Sequence, residues 1–220
     1  MGDNQFSSDP KETSDVIELK LAVLGQTLVG KSALTYRFIS DKFPTEHYTT
    51  IEDQYKINTT IDEHNSRLEI LDTAGQDDYQ SMLDTWINFA EGFVLVYSID
   101  DRESFESLEF WLGEIRTYSR KSNKIVLVGN KKDLDTKRTV SYEEGKEFFE
   151  SNKLDLFYEA SAKEGTNAAE IFTESVEMLY DFDMKKRKKE LDEDEEEKNS
   201  FYLHEVNDKD NTGKSCEECY

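Results

Sequence analysis

The run Gly25-Gln26-Thr27-Leu28-Val29-Gly30-Lys31-Ser32 matches the pattern G-x-x-x-x-G-K-[ST]. It stands directly after an apolar strand-like stretch, Val16 to Gly25, and directly before a helical one, Ala33 to Ile39. In that setting the backbone N–H groups of the loop and the helix N-terminus converge on phosphate oxygens, and the partial positive charge of the helix end adds to their hydrogen bonds. Lys31 brings a full charge to the β- and γ-phosphates, and the Ser32 hydroxyl is placed to bind Mg²⁺. The loop points to a nucleoside triphosphate, with Gly25, Val29, Gly30, Lys31, Ser32 and Ala33 as its contacts.

Four further segments follow: Thr50-Ile51-Glu52-Asp53-Gln54-Tyr55, Asp72-Thr73-Ala74-Gly75-Gln76, Asn130-Lys131-Lys132-Asp133 and Glu159-Ala160-Ser161-Ala162-Lys163. Together with the phosphate loop, in this order and near this spacing, they resemble the small GTPases of the Ras family, over about Leu19 to Phe182. The stretch T-I-E-D-x-Y resembles the effector segment of the Ras and Rap branch, and Gln76 favours the Ras side. Asp133 also has a reading of its own: a carboxylate can accept two N–H bonds from guanine, at N1 and the 2-amino group that adenine lacks. Left unpaired, it penalises the wrong base.

The resemblance implies a role for each matching residue. Asn130 and Lys131 brace the base loop and cover the base, and Ser161, Ala162 and Lys163 form a second guanine-contacting loop. Phe43 packs across the guanine, although an aromatic there could equally be core. Thr50 completes the Mg²⁺ shell with Ser32 and senses the γ-phosphate, and Asp72 holds the ion through water. Gly75 lets the backbone approach the γ-phosphate without a Cβ in the way. Gln76 orients the attacking water, so Gln76, Lys31, Thr50 and Gly75 form the catalytic set. The worked template for this chemistry is Ras itself, in which positioning and charge neutralisation matter more than covalent participation. Ile51, Glu52, Asp53 and Tyr55 form the effector surface, acidic enough to suit a partner's basic edge strand or helix.

The sequence departs from the Ras pattern in three places. Thr27 and Leu28 stand where Ras has consecutive glycines, crowding both the glutamine and an incoming arginine finger. Binding should survive while hydrolysis, above all hydrolysis stimulated by a GTPase-activating protein, weakens; an arginine finger is worth about 10³ to 10⁵ in rate. The alternative is a loop that has adjusted to these side chains. Ahead of Thr50, His47-Tyr48-Thr49 replaces Tyr-Asp-Pro, which loosens the segment by removing a fixed φ; either Tyr48 or His47 then covers the phosphates. At the far end Glu217, not cysteine, is fourth from last, so a standard prenylation box is missing. Phe6 spoils a myristoylation match at Gly2, and Cys216 and Cys219 are open to palmitoylation or form an inert thiol pair.

These residues need a scaffold, and the hydrophobic pattern supplies one. Phe93 to Tyr97 and Ile125 to Val128 are continuously apolar, as strands buried on both faces are, and Leu156 to Ala160 is a further strand. Ser104 to Tyr118 and Ala168 to Phe182 carry helical apolar stripes, so they read as crossover helices. Gln54 to Ile61 and Arg67 to Asp72, around the turn Asp62 to Ser66, form a hairpin. The expected architecture is α/β, the P-loop GTPase fold that the resemblance implies: a mostly parallel six-stranded sheet with one antiparallel edge strand and helices on both faces. The expected organisation is a disordered extension over 1–16, a Ras-like GTPase domain over 17–184 and a charged, disordered tail over 185–220. That tail opens with Lys185 to Lys189 and turns acidic from Glu190 to Glu197; its bland reading is a solvated continuation of the last helix.

The 220 residues suit one domain with tails. With 27 basic and 49 acidic residues the formal charge is −22, which repels phosphate polymers and excludes general nucleic-acid binding. The two cysteines cannot build a disulfide framework, and no apolar run reaches the length of a membrane span. His64 and His204 are expected to be solvated. The reading is a monomeric GTP/GDP-regulated switch in signal transduction with Mg²⁺, cytoplasmic or peripheral at the inner face of the plasma membrane. Its partners are effectors with a Ras-binding-type domain, a guanine nucleotide exchange factor and a GTPase-activating protein. Against it stands a hydrolysis-deficient, persistently GTP-bound interaction module; an ATP-using enzyme is disfavoured by Asp133.

Overall fold

The structure, a computed structural model, describes residues 16–44, 52–75, 82–119 and 123–211. Six strands, β1 (Ile17–Leu24), β2 (Glu52–Ile61), β3 (His64–Thr73), β4 (Gly92–Ser98), β5 (Lys124–Asn130) and β6 (Leu156–Glu159), form one sheet in the order β2-β3-β1-β4-β5-β6. Only the β2–β3 pairing is antiparallel, so the expected mixed sheet with one antiparallel edge is the one that forms. Every residue of β4 is buried, as its unbroken apolar run requires of a strand covered on both faces.

The helices are α1 (Lys31–Ser40), α2 (Leu83–Phe89), α3 (Arg102–Glu106), α4 (Leu108–Tyr118), α5 (Tyr142–Asn152) and α6 (Ala168–Asn211), with a 3₁₀ segment at Lys132–Lys137. Ala22 and Leu24 of β1, with Phe93, Leu95 and Tyr97 of β4, pack into a core with α2 and α4 through Trp86, Ile87, Trp111 and Leu112. On α1, Phe38 stacks on Phe172 of α6 with ring centroids 4.7 Å apart. Removing each of these large side chains from water contributes about 1.5–3 kcal/mol, which fixes where the strand ends, and hence the loops, must lie.

Several elements differ from the sequence pattern. The hairpin turn tightens to Asp62 and Glu63, both at positive φ, the conformation that matches the twist of two antiparallel strands. His64, now the first residue of β3, is exposed, and its Nδ1 lies 2.9 Å from Asp62 O and 2.8 Å from the Tyr180 hydroxyl. The helix expected over Ser104 to Tyr118 is two helices joined at Ser107. Asp101 caps the first, accepting from the N–H groups of Glu103 and Ser104. Helices α2 and α5 were not signalled by an apolar stripe.

The chain divides into two compact units, Met1–Tyr180 and Asp181–Tyr220. In the first, α6 buries Ile171, Phe172, Val176, Leu179 and Tyr180. In the second, helix continues through the charged blocks to Asn211, supported by pairs four residues apart: Arg187 with Asp183 at 2.5 Å and Lys189 with Glu193 at 3.4 Å.

Candidate nucleotide site

The phosphate-type loop joins the end of β1 to the first turn of α1, and Gly30 is the N-cap residue of that helix. Lys31 is buried, and its ammonium donates to Gly25 O and Gln26 O at 2.9 Å each. Burial lowers the Lys31 ammonium to about 8, with Asp72 pulling it back up. Val29 and Ala33 are buried behind the loop, while Leu28 is 83% exposed and holds φ 66°, a left-handed conformation that costs a branched side chain energy.

Asp72 and Ser32 meet at the mouth of this loop. Asp72, on β3, is fully buried, and neither of its carboxylate oxygens has a hydrogen-bond partner. Burial pushes its carboxyl up to about 6; the Ser32 hydroxyl and the Lys31 ammonium pull the other way, and Asp53 adds to the rise. A buried carboxylate with both oxygens unsatisfied, beside a hydroxyl, suits a hard divalent cation such as Mg²⁺, which takes oxygen ligands and keeps several waters. Beyond Asp72, Thr73 Oγ1 donates to Val23 O at 2.8 Å and anchors the strand end. Gly75 then runs against the phosphate-type loop itself: a Cβ on Gly75 would overlap Thr27 Oγ1 and reach Thr27 N and Cα at 2.5 and 2.6 Å. Only a residue without a side chain fits there. Thr50 and Gln76 lie outside the described residues, as do His47, Tyr48, Thr49, Gly2, Phe6, Cys216 and Cys219.

On the far side of α1, two loops from β5 and β6 lock together. Asn130, at the end of β5, donates from Nδ2 to Val29 O at 2.8 Å and accepts at Oδ1 from Ala162 N at 3.3 Å. One side chain thus ties three loops. Asp133 Oδ1 accepts from Ser161 Oγ at 2.7 Å, and Asp133 Oδ2 lies 3.8 Å from Lys163 Nζ. Lys131 is in the left-handed region and its Nζ lies 3.8 Å from Asp100 Oδ1. A carboxylate so positioned can accept paired N–H donors from a planar base. Phe43 is 37% exposed, at the surface and not in the core.

Of the effector-type residues, Glu52, Asp53 and Tyr55 sit on the edge strand β2, and Ile51 lies outside the described residues. Glu52 Oε2 accepts from the indole Nε1 of Trp86 on α2 at 2.6 Å. Burial pushes the Tyr55 hydroxyl up, followed by the negative charges of Asp53 and Asp72 and, to a lesser degree, Tyr36. The sequence pattern did not single out Trp86, Asp100 or the exposed pair Tyr36 and Ile39 of α1.

Known proteins are similar to this chain over nearly the whole of the folded span. The Ras family model matches residues 20–181. The chain is 40% identical over 201 residues to the Ras-like protein rasZ of Dictyostelium discoideum, covering 90% of this chain and 93% of that protein. It is 40% identical over 199 residues to the Ras-like protein rasX of the same organism, with the same coverage of 90% and 93%. The Ras-related protein Rab-3 of Caenorhabditis elegans is 36% identical over 163 residues, 74% of each chain.

Proposed function

The chain belongs to the Ras family, and from that premise we propose that it is a GTP/GDP-regulated switch that binds GTP tightly and hydrolyses it slowly. The observation that carries this reading is Asn130, whose side chain binds Val29 O on the phosphate loop and Ala162 N on the base loop. It makes one continuous site from a triphosphate cradle and a base-reading carboxylate.

Lys31 and the loop N–H groups neutralise and orient the phosphates, and Asp133, with Ser161 fixing its carboxylate, selects guanine over adenine. Ser32, Thr50 and Asp72 would hold Mg²⁺, which when bound spreads the charge that develops on the phosphate oxygens. Gln76 positions water in line with the γ-phosphate, and Gly75 presents its backbone N–H to that phosphate. GTP thereby orders the segments around Thr50 and Gly75, so that Ile51, Glu52, Asp53 and Tyr55 engage a basic effector surface; hydrolysis releases them. An exchange factor and a GTPase-activating protein complete the cycle. No helix among the described residues is long and apolar enough to cross a membrane. The proposed location is the cytoplasm or the inner face of the plasma membrane.

The second reading, a persistently GTP-bound interaction module, has its own support in Thr27. Its hydroxyl and backbone pack on Gly75, and on this reading that side chain crowds the arginine a second protein would bring to the γ-phosphate. Single-turnover γ-phosphate release from GTP-loaded protein in Mg²⁺, after identifying the nucleotide that co-purifies, separates the two. Slow release abolished by Gln76→Leu supports the hydrolysing switch. Retained GTP with no release makes the chain the binding module, and a protein that retains only adenine nucleotide, or none, overturns both.

A further inference from the structure

The base loop and the helix that begins at the phosphate loop touch at a point outside both motifs. Gly165 closes the turn after Ser161, donating its N–H to Ser161 O at 2.8 Å, and holds φ 82°. A Cβ at Gly165 would overlap Arg37 Nη2 and come within 3.0 Å of Arg37 Cζ and Nε, so the guanidinium lies directly against the Gly165 backbone. Arg37 stands in the last turn of α1, with its side chain 22% exposed and Nε 3.6 Å from Asp41 Oδ1. Next to it, Phe38 stacks on Phe172, near the start of the helix that continues the base loop.

We infer that Arg37 is a positioning residue for nucleotide retention, a strut that couples α1, whose first turn carries Lys31, to the base-binding loop Ser161 to Gly165. The inference rests on the site reading given above. For a nucleotide to leave, the loop carrying Ser161, Ala162 and Lys163 must withdraw from the base. With the guanidinium wedged against Gly165, and with Phe38 pinned to Phe172, that withdrawal disturbs α1 as well, so base and phosphates are released together or not at all. A guanidinium suits the task, because it is planar, weakly hydrated and able to pack on backbone while staying charged. A lysine in its place keeps the stem and the charge without the plane.

The test uses the full chain loaded with fluorescent GDP, chased with unlabelled GDP in Mg²⁺. Arg37→Ala should release GDP about tenfold faster, the scale of a lost contact between coupled elements, and Arg37→Lys should fall between it and the wild type. Hydrolysis of GTP already bound should stay within about twofold, which a general loosening of the fold would not allow. Gly165→Ala should also speed release, and the double variant should fall well below the product of the two single effects. Release by Arg37→Ala at the wild-type rate, or single effects that multiply, overturns the inference while leaving the site reading standing. A wild-type chain that retains no guanine nucleotide overturns the site reading, and the inference with it.

Discussion

The indole Nε1 of Trp86 donates a 2.6 Å hydrogen bond to Oε2 of Glu52, joining α2 to the first residue of the edge strand β2. Trp86 is 1% exposed, so its N–H depends on protein for an acceptor. Glu52→Ala should therefore destabilise the protein by about 1–3 kcal/mol in urea unfolding, while Glu52→Gln, which keeps an acceptor, should cost less. The chain has two tryptophans. Trp111 has its Nε1 buried with no acceptor, so Trp111→Phe gives up no hydrogen bond there and leaves Trp86 as the reporter. Its emission should shift on Glu52→Ala and hold on Glu52→Gln.

Leu28 occupies the left-handed region at φ 66° with its side chain 83% exposed, so it carries backbone strain and gains little burial in return. Leu28→Gly removes that strain, offset in part by the greater freedom of glycine in the unfolded chain. The net expectation is a gain of about 0.5–1 kcal/mol, read as a higher denaturation midpoint at unchanged m-value. A loss of stability would mean that the leucine side chain is held by contacts of its own.

Thr27 and Gly75 make a second double-sided test. Thr27→Gly removes the hydroxyl that fills the space beside Gly75, and single-turnover γ-phosphate release should rise about tenfold, equivalent to about 1.4 kcal/mol off the barrier. Gly75→Ala should not be rescued by Thr27→Gly, because the backbone N and Cα at position 27 stay within 2.6 Å of the new methyl. Rescue in the double variant would place the conflict in the side chain alone.

Glu144 closes the capping box of α5: its carboxylate accepts from Ser141 N at 2.9 Å, and Arg102 Nη1 donates to it at 2.7 Å. The Ser141 N–H first, then the Arg102 guanidinium and the Ser141 hydroxyl, hold its carboxyl down to about 2, against 4.5 ordinarily. A depressed carboxyl stabilises the fold above its unfolded value, and that contribution is lost as pH falls from about 4.5 toward 2. Thermal melting should therefore separate wild type from Glu144→Gln most at pH 6 to 7, and the gap should close below about pH 4. An equal gap at pH 3 and pH 7 would assign the cap's effect to something other than charge.

What the sequence made legible were features confined to single segments. Lys31 and Ser32, or Asn130 and Asp133, are readable because their spacing within one loop is itself the chemistry. The unbroken apolar run of β4 is readable because burial on both faces leaves no other composition. Helix α5 hides its apolar stripe, burying only Gly145 among its own residues, yet Ser141 and Glu144 spell its capping box three residues apart. The division at Ser107 was not readable, since it depends on Ser104 Oγ accepting from Ser98 N and donating to Asp101 O. Thr27 on Gly75, Trp86 on Glu52 and Arg37 on Gly165 join distant segments. No local periodicity reports them, because each is set by how the sheet brings loop ends together.

The strand order also has a temporal meaning for a chain made from its N-terminus. Strands β1, β2 and β3, with β3 between the other two, emerge first, after which β4, β5 and β6 add one by one to the open side of β1 in the order of synthesis. Assembly on the ribosome can thus run outward without rearranging what is already paired. The two halves of the nucleotide site come of age at different moments, since Asn130 reaches Val29 from 101 residues further along. A nascent chain with its phosphate loop exposed has no means yet of telling one base from another. On the function proposed above, discrimination is complete once Ser161, beyond the last strand, holds the Asp133 carboxylate, and a ligand that binds then stabilises the finished fold.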